Sequence, residues 1–342
     1  MKKYFYCIGL HKEGGLNILK RFIINNENYF YILDKRLDNK IKIKNSYYIS
    51  SNFISILIHL IKLKNKLKDD DHLIFLNGLP PIFKFKCEVS VMFQNANLFR
   101  KFYKISFLKW LCSKDFLRFL NFKLGLSYVD NWFVFSPVSK LILSNYLKRY
   151  VNLKIIDIFQ DSNSSNYSYS QEKYHYDFIY PASLMKHKNH NLLIEVLINL
   201  SKKNLFPKVL LTLNDKEKKK LKFDIIKNKY NLNLHNFNED NQERFQNIYK
   251  YCRALLYISS NETIALPILE ANKYNLLIIA PKLPYSTQFL KPDLTFDINK
   301  KDDLLTCIEK VFENNFELKN PKKVIINNKP KIALNNFFNK IL

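Results

Sequence analysis

Two glutamates, Glu262 and Glu270, lie eight residues apart between a predicted strand and a predicted helix. The strand, residues 254–259, is a short apolar run typical of the middle of a parallel sheet. Glu262 follows at its carboxyl end, where open α/β sheets bind ligands, and Glu270 lies about a turn and a half into the helix. Backbone N–H groups at the start of a helix can bind a phosphate; here they belong to Thr263, Ile264 and Ala265. Two hydroxyl-accepting carboxylates beside an anion site suit a sugar nucleotide.

Glutamate is a strong helix former, so a pair at this spacing is also compatible with two solvated helix residues. The flanking sequence favours a site. Ser-Ser-Asn at 259–261 precedes the pair, Pro267 and the Leu-Glu-Ala of 269–271 follow, and a second apolar run occupies 276–280. This order resembles the sugar-donor signature of retaining glycosyltransferases of family 4, also called glycosyl transferases group 1.

The resemblance implies an α/β fold of the GT-B type, in which two Rossmann-like domains with doubly wound parallel sheets face a cleft. It implies a retaining hexosyltransferase that uses a nucleotide diphosphate sugar and needs no metal or other cofactor. In this family pattern Glu262 is the catalytic contact to the donor sugar and Glu270 binds the nucleoside ribose. Ala265 stands where the family commonly has glycine, and we expect it to keep a negative φ at the helix start.

A basic cluster, Lys-His-Lys-Asn-His at 186–190, follows a predicted strand at 177–182 and precedes a helix at 191–197. The family has a lysine here that binds the donor diphosphate, and Lys188 matches it. The family's preceding Gly-Arg is replaced by Ala-Ser at 182–183, so the resemblance leaves Lys186 or His190 to supply a second positive charge. A solvated basic loop is the alternative.

The two histidines of this cluster, His187 and His190, have helical spacing but no carboxylate or cysteine at ligand distance, so we exclude a metal site. Further predicted strands occupy 208–213 and 232–237, and helices are predicted over about 216–229, 241–252 and 301–312. This alternation predicts a doubly wound parallel sheet. We expect an amino-terminal acceptor-binding domain over 1–158, a linker over 159–175 and a carboxyl-terminal nucleotide-sugar domain over 176–325. A final segment, 326–342, can cross back to the first domain.

In the amino-terminal half, Gly14 and Gly15 follow the first predicted strand and precede a helix. A glycine pair is often only a turn, but the chain has just 5 glycines, and the pair resembles the family's glycine loop beside the donor phosphate and acceptor. Many relatives place a histidine at the end of a later strand. Here Gln94 and Asn95 stand at that end, so no catalytic histidine is assigned.

More than half of the net charge of +25 lies within residues 1–150. Aromatic and basic residues alternate between Phe99 and Lys123, as in a helix that lies on anionic lipid; a packed helix pair with basic edges is the alternative. The cysteines lack paired spacing, and no run is long enough to span a membrane. We therefore expect a cytoplasmic protein, peripheral on the inner face of the cell membrane. The family resemblance implies that it glycosylates a glycan or lipid-linked glycan in the synthesis of lipopolysaccharide or capsule.

Three other interpretations stay open on sequence. Asp69 to Asp71 contains the Asp-x-Asp pattern of manganese-dependent glycosyltransferases, but it follows a basic helix and precedes a strand, so an acidic turn is favoured. A sugar-nucleotide epimerase shares the two-domain build and needs no acceptor. A nucleic-acid-binding protein would fit a pI near 9.6 and 28 Phe with 21 Tyr, yet no such motif occurs and we expect no nucleic-acid partner.

Overall fold

The computed structural model describes residues 1–11, 13–24, 26–94, 114–147, 152–157, 174–238, 247–313 and 331–333. The chain divides into two compact units. The first comprises Met1–Asp161 with Pro330–Leu342, and the second comprises Ser162–Lys329. Each unit is a parallel sheet with helices, so the expected α/β fold with two doubly wound sheets is confirmed.

The first unit is built on an eight-stranded sheet in the order β14-β7-β6-β5-β4-β1-β2-β3, with every neighbouring pair parallel. Its strands are β1 (Lys3–Cys7), β2 (Tyr29–Asp34), β3 (Ser46–Ile49), β4 (His72–Phe75), β5 (Glu88–Phe93), β6 (Asn131–Val134), β7 (Asn152–Asp157) and β14 (Lys331–Ala333). Central strands such as β1 are buried along their whole length, because helices cover both faces of a parallel sheet.

The helices described in the first unit are α1 (Glu13–Phe22), α2 (Phe53–Lys66), α3 (Lys114–Gly125) and α4 (Pro137–Ser144). Leu60 and Leu63 of α2 and Phe122 of α3 belong to one hydrophobic cluster with strand residues such as Tyr6 and Trp132. The helices α2 and α3 therefore pack on the same face of the sheet. The predicted lipid-facing segment lies outside the described residues over 99–113 and forms α3 over the rest.

The second unit contains a six-stranded parallel sheet in the order β10-β9-β8-β11-β12-β13. Its strands are β8 (Tyr176–Tyr180), β9 (Val209–Leu211), β10 (Leu234–Asn236), β11 (Cys252–Leu256), β12 (Leu277–Pro281) and β13 (Leu294–Phe296). Along the chain the strands are added first on one side of β8 and then on the other. The point where this order reverses lies between β8 and β11.

Among its described residues, the second unit has the helices α5 (His190–Lys202), α6 (Asp215–Leu221), α7 (Phe223–Lys229), α8 (Leu266–Lys273) and α9 (Lys301–Phe312). Sequence periodicity predicted a single lysine-rich helix over 216–229, and this was wrong. Lys222 adopts a left-handed conformation with φ of 56° and breaks the segment into α6 and α7. Cys252 was expected to end a helix over 241–252, but it begins β11 after a short 3₁₀ turn.

Candidate functional site

The candidate site lies at the carboxyl ends of β8 and β11, which pair directly as neighbours in the second unit. One loop, 181–189, leaves β8 and the other, 257–265, leaves β11. Because the strand order reverses between these two strands, their loops diverge to opposite faces of the sheet and leave a crevice. This is the position at which doubly wound folds bind their ligands.

Lys188 and Glu262 come from the two different loops and meet in this crevice. The Lys188 Nζ atom donates to Glu262 Oε1 at 2.5 Å, and the side chains are only 15% and 17% exposed. Ser259 Oγ donates to the same oxygen at 2.6 Å. The lysine and the glutamate that sequence reasoning assigned to one ligand therefore lie in contact, although 74 residues separate them.

Two further side chains complete the surroundings of Glu262. His187 Nε2 lies 3.8 Å from Glu262 Oε1, and the Tyr257 hydroxyl lies 3.5 Å from Lys188 Nζ. Burial, reinforced by the negative charge of Glu262, raises the pKa of Tyr257 well above its usual value. Tyr257 is thus a neutral phenol that hydrogen-bonds the carboxylate. Sequence reasoning missed Tyr257 and Ser259, because a buried strand end with Tyr and Ser carries no chemical signature.

The backbone of the lysine loop is fixed to the neighbouring strand end. Asn189 adopts a left-handed conformation with φ of 52°, which asparagine tolerates, and its Nδ2 donates to the Ile258 carbonyl at 2.9 Å. Ser260 N donates to the His187 carbonyl at 2.7 Å, and the Tyr180 hydroxyl donates to the carbonyl of Lys188. These bonds position Lys188 before any ligand arrives, which lowers the entropic cost of binding.

The structure separates the two candidates for a second positive charge. His190 is 3% exposed and its Nε2 lies 3.2 Å from the Ala182 carbonyl. Burial lowers the pKa of His190 to about 4, so His190 is neutral near pH 7 and does not supply the charge. Lys186 is exposed on the short 3₁₀ turn that carries Lys188, which leaves Lys186 as the candidate from the original pair.

Ala265 does not have the negative φ that we expected. It caps helix α8 in the left-handed conformation, with φ of 46° and ψ of 55°, and it is 4% exposed. The glycine common at this position in the family suits a left-handed φ, which costs other residues roughly 1–2 kcal/mol. Ala265 therefore holds a backbone conformation that is strained for a residue with a Cβ.

This conformation gives a stability prediction. Replacing Ala265 by glycine should leave the protein at least as stable as the wild type, because glycine adopts positive φ at no steric cost. Ala265→Val should lose roughly 2 kcal/mol, because a β-branched residue is a severe outlier there. Thermal unfolding would measure both. Ala271→Gly, inside α8, is the control and should lose about 1 kcal/mol; equal losses in both glycine variants would contradict the assignment.

Glu270 is the fifth residue of α8. Its Oε2 accepts a hydrogen bond of 2.8 Å from the Tyr249 hydroxyl. Tyr249 is fully buried and stacks on Tyr274 with ring centroids 5.9 Å apart. Burial, with the Glu270 charge, raises the pKa of Tyr249 well above its usual value. The phenol therefore stays protonated and orients one carboxylate oxygen, a role that the sequence did not reveal.

The backbone between the two glutamates is also anchored. Gln288 Nε2 donates to the Thr263 carbonyl at 2.9 Å. The side chains of Ile264 and Ala265 are buried, at 7% and 4% exposure, so these residues can meet a ligand only through their backbone. Because Leu266 begins α8 and Ala265 caps it, the predicted phosphate contact falls to N–H groups of the turn that leads into the helix rather than of its first turn.

In the first unit, Gly14 and Gly15 lie within the first turn of α1 and not in a loop before it. A Cβ at Gly15 would lie 3.2 Å from Leu10 Cδ2, in the turn that precedes α1, so a larger residue at position 15 would need the Leu10 side chain to shift. The glycines that need positive φ are Gly9 (91°) and Gly78 (80°). They follow the neighbouring strands β1 and β4, at the point where the strand order of this sheet reverses.

A polar cluster surrounds Gly9. Its N–H donates to Asp34 Oδ2 at 3.0 Å, and Arg36 donates to the two Asp34 oxygens at 2.7 and 2.6 Å. His11 lies 4.0 Å from the same carboxylate. Although burial by itself raises the pKa of Asp34, the hydrogen bonds from Arg36 and Gly9 hold that pKa below its usual value. Sequence reasoning missed this cluster, because β2 was not predicted.

The Asp-x-Asp segment lies away from the carboxyl ends of the strands. Asp71 accepts the N–H groups of Lys2 at 2.9 Å and Lys68 at 3.0 Å, just before β4 begins, and Asp70 lies 3.3 Å from the amino terminus. Asp71 thus caps a turn at the amino edge of the sheet. No group of three His, Cys, Asp or Glu side chains suited to a metal occurs among the described residues.

Gln94 and Asn95 follow β5, where many relatives place a histidine. Gln94 Nε2 donates to the Leu76 carbonyl at 2.5 Å, and Asn95 lies outside the described residues.

A match to a sequence family covers the crevice and most of the second unit. Residues 168–331 match the family described as glycosyl transferases group 1. The matched stretch contains Lys188, Glu262 and Glu270. No curated protein matches the chain.

Solved structures match over nearly the whole chain. Sucrose-phosphate synthase from Thermosynechococcus elongatus has a TM-score of 0.66 at 10% identity and covers 92% of this chain and 90% of its own. HepE from Anabaena, in complex with UDP and glucose, has a TM-score of 0.63 at 12% identity, with the same coverage. The lipopolysaccharide outer core galactosyltransferase WaaB, without ligand, has 0.60 at 13%, covering 93% and 92%. At such identities the likeness confirms the GT-B fold.

Proposed function

We propose that this protein is a metal-independent retaining glycosyltransferase that moves a sugar from a nucleotide diphosphate sugar to a glycan or lipid-linked glycan. The observation that carries the proposal is the Lys188–Glu262 contact at the switch point of the second sheet. A cation for a diphosphate and a carboxylate for sugar hydroxyls lie together within the stretch that matches glycosyl transferases group 1. Fold and family stretch therefore point to the same reaction class.

In this proposal each group of the site takes one part of the nucleotide sugar. Lys188 binds the diphosphate, and the backbone N–H groups of Thr263, Ile264 and Ala265 contribute to the same anion site. Glu262 contacts the sugar, and Glu270, oriented by Tyr249, binds the ribose hydroxyls. Catalysis rests on stabilising the leaving diphosphate while the sugar gains oxocarbenium character. We assign no nucleophile.

The contact between Lys188 and Glu262 does not prevent Lys188 from binding a phosphate. An ammonium group has three N–H donors, so Lys188 can keep one bond to Glu262 while it donates to a phosphate oxygen. Ser259 holds the same Glu262 oxygen at 2.6 Å, which limits the movement of the carboxylate. The nucleotide sugar therefore binds to a preorganised pair, and the site needs little reorganisation at the reaction step.

The acceptor and location are also proposals. The exposed leucines of α3 (Leu117, Leu120 and Leu124) form one stripe at helical spacing, and Arg118 and Lys123 are exposed beside it. This face suits contact with anionic lipid on the inner face of the cell membrane. A lipid-linked acceptor in the synthesis of a bacterial surface polysaccharide would bring the enzyme to that surface.

A screen of nucleotide sugars tests the proposed reaction. Purified protein would be incubated with UDP-, GDP- and dTDP-sugars, and release of the nucleoside diphosphate would be measured. UDP-sugars come first, because the HepE structure holds UDP and glucose. We expect slow hydrolysis of one class without acceptor and retained anomeric configuration in the transfer product. Release of an epimerised free sugar would favour an epimerase, and no release from any donor would contradict the proposal.

Metal dependence gives a second prediction for the same assay. Because Lys188 and the N–H groups at the start of α8 supply the positive electrostatic environment, activity should survive EDTA within about twofold. Loss of activity that manganese restores would contradict the metal-free site and indicate a metal site at Asp69–Asp71.

The nucleic-acid alternative predicts a different result: the protein would bind nucleic acid, and this binding would weaken steeply as salt is added.

A further inference from the structure

An unusually apolar exposed face occurs on helix α2, far in sequence from the predicted lipid-facing segment. Phe53 and Ile54 are each 69% exposed, Ile58 is 49% exposed and Ile61 is 47% exposed. Single exposed apolar residues are normal on protein surfaces, whereas exposed apolar residues grouped on one helix are a feature of interaction sites.

The spacing places three of these side chains on one side of the helix, and Phe53 adjoins them at its first residue. Ile54, Ile58 and Ile61 follow each other at intervals of four and three residues, so they align along one stripe. The opposite side of α2 is already used: Leu60 and Leu63 are buried against the sheet at 4% and 5% exposure. The helix therefore has two apolar faces, and only one of them faces the protein core.

Positive charge borders the exposed stripe. Helix α2 contains no acidic residue, and Lys62, Lys64 and Lys66 are exposed in its carboxyl-terminal half. The Lys66 ammonium lies 5.2 Å from the centre of the Tyr47 ring, which is itself 46% exposed on edge strand β3. Apolar side chains flanked by lysines, with an aromatic residue at the border, are typical of a helix that lies in a membrane interface.

The exposed face of α2 lies in the same helix layer as the exposed face of α3. Both helices pack on one face of the first sheet, through Leu60 and Leu63 on α2 and Phe122 on α3. Their outward faces therefore belong to one layer, and each presents an apolar stripe with Lys or Arg beside it. None of the described helices is long and apolar enough to cross a bilayer.

We propose that α2 docks the first unit on an anionic lipid surface through Phe53, Ile54, Ile58 and Ile61. Charge decides between the possible partners. In a symmetric contact between two copies, each lysine-bordered patch would face an identical patch, whereas anionic headgroups attract every one of these lysines. The inference goes beyond the proposed sugar transfer, because lipid binding is measured without any sugar substrate.

Vesicle sedimentation tests the proposal directly. The wild type should bind vesicles rich in phosphatidylglycerol and bind neutral phosphatidylcholine vesicles weakly, with binding reduced by salt. The triple variant Ile54→Gln, Ile58→Gln, Ile61→Gln should bind the anionic vesicles at least about tenfold less, because three apolar side chains no longer enter the interface. Ile225→Gln, at a residue 64% exposed on α7, is the matched control and should bind like wild type.

Further arms distinguish the alternatives. A variant with Leu117, Leu120 and Leu124 replaced by Gln tests α3 alone, and thermal unfolding confirms that each variant is folded. Equal vesicle binding by the α2 variant and wild type, or loss in the α3 variant only, would overturn the proposal. A wild-type dimer in solution that dissociates in the α2 variant would assign the face to a second copy. Nucleotide-sugar hydrolysis should be unchanged in the α2 variant, so a failed hydrolysis screen leaves the vesicle result interpretable.

Discussion

Replacing Glu262 by glutamine should lower turnover on the identified nucleotide sugar roughly 10²-fold or more, the usual cost of losing an electrostatic contact made in the transition state. Glutamine keeps the shape of the side chain but removes the charge that pairs with Lys188 at 2.5 Å. We expect the loss mainly in kcat, because the diphosphate and ribose contacts remain. Steady-state kinetics on the purified variant would measure it.

Two matched variants show whether the effect is specific to Glu262. Glu270→Gln should raise KM more than it lowers kcat, because this carboxylate is assigned to the ribose. Glu195→Gln, at an exposed position on α5, removes the same charge outside the site and should leave both constants unchanged. Wild-type kinetics in Glu262→Gln and Glu270→Gln alike would show that the two glutamates are not the site.

Replacing Lys188 by methionine should lower kcat/KM by roughly 10²-fold or more, because both diphosphate binding and leaving-group stabilisation lose their cation. Lys186→Met is the matched control: it lies two residues away on the same turn but is exposed. We expect an effect below about tenfold there, consistent with at most an auxiliary charge. A larger loss in Lys186→Met than in Lys188→Met would reverse the assignment of the two lysines.

Stability must be measured with these variants, because Lys188 and Glu262 stabilise each other. Each single variant leaves the partner charge unpaired in a crevice where the side chains are 15% and 17% exposed. The double variant Lys188→Met, Glu262→Gln should therefore lose less stability than the sum of the two single losses. Additive losses would indicate that the 2.5 Å contact contributes no coupling energy.

The fold of the second unit was largely predictable from sequence. Apolar runs bounded by polar turns located β8, β9, β11 and β12, and α9 was predicted with its observed bounds, Lys301–Phe312. The assignment of Lys188 and Glu262 to one ligand also came from sequence. Their direct contact did not, because Lys188 and Glu262 lie 74 positions apart in the chain and meet only through the pairing of β8 with β11.

Other features escaped prediction for physical reasons. The positive φ of Ala265 is imposed by the turn between β11 and α8, and alanine gives no signal for that conformation. Tyr249 orients Glu270 through a hydrogen bond between residues 21 positions apart, which periodicity does not reveal. The exposed stripe of α2 was not predicted, because an apolar helix pattern does not show which of two faces is covered.

A calorimetric comparison of nucleotide binding tests the central claim most directly. The wild type would be titrated with the diphosphate and the monophosphate of the nucleoside found in the screen, or of uridine, guanosine and thymidine in turn. Lys188 is assigned to the diphosphate, so we expect one nucleoside diphosphate to bind at least about tenfold tighter than its monophosphate, and Lys188→Met to lose this preference. Equal affinity for the two nucleotides, or no binding of any of them, would contradict a nucleotide-sugar site at Lys188 and Glu262.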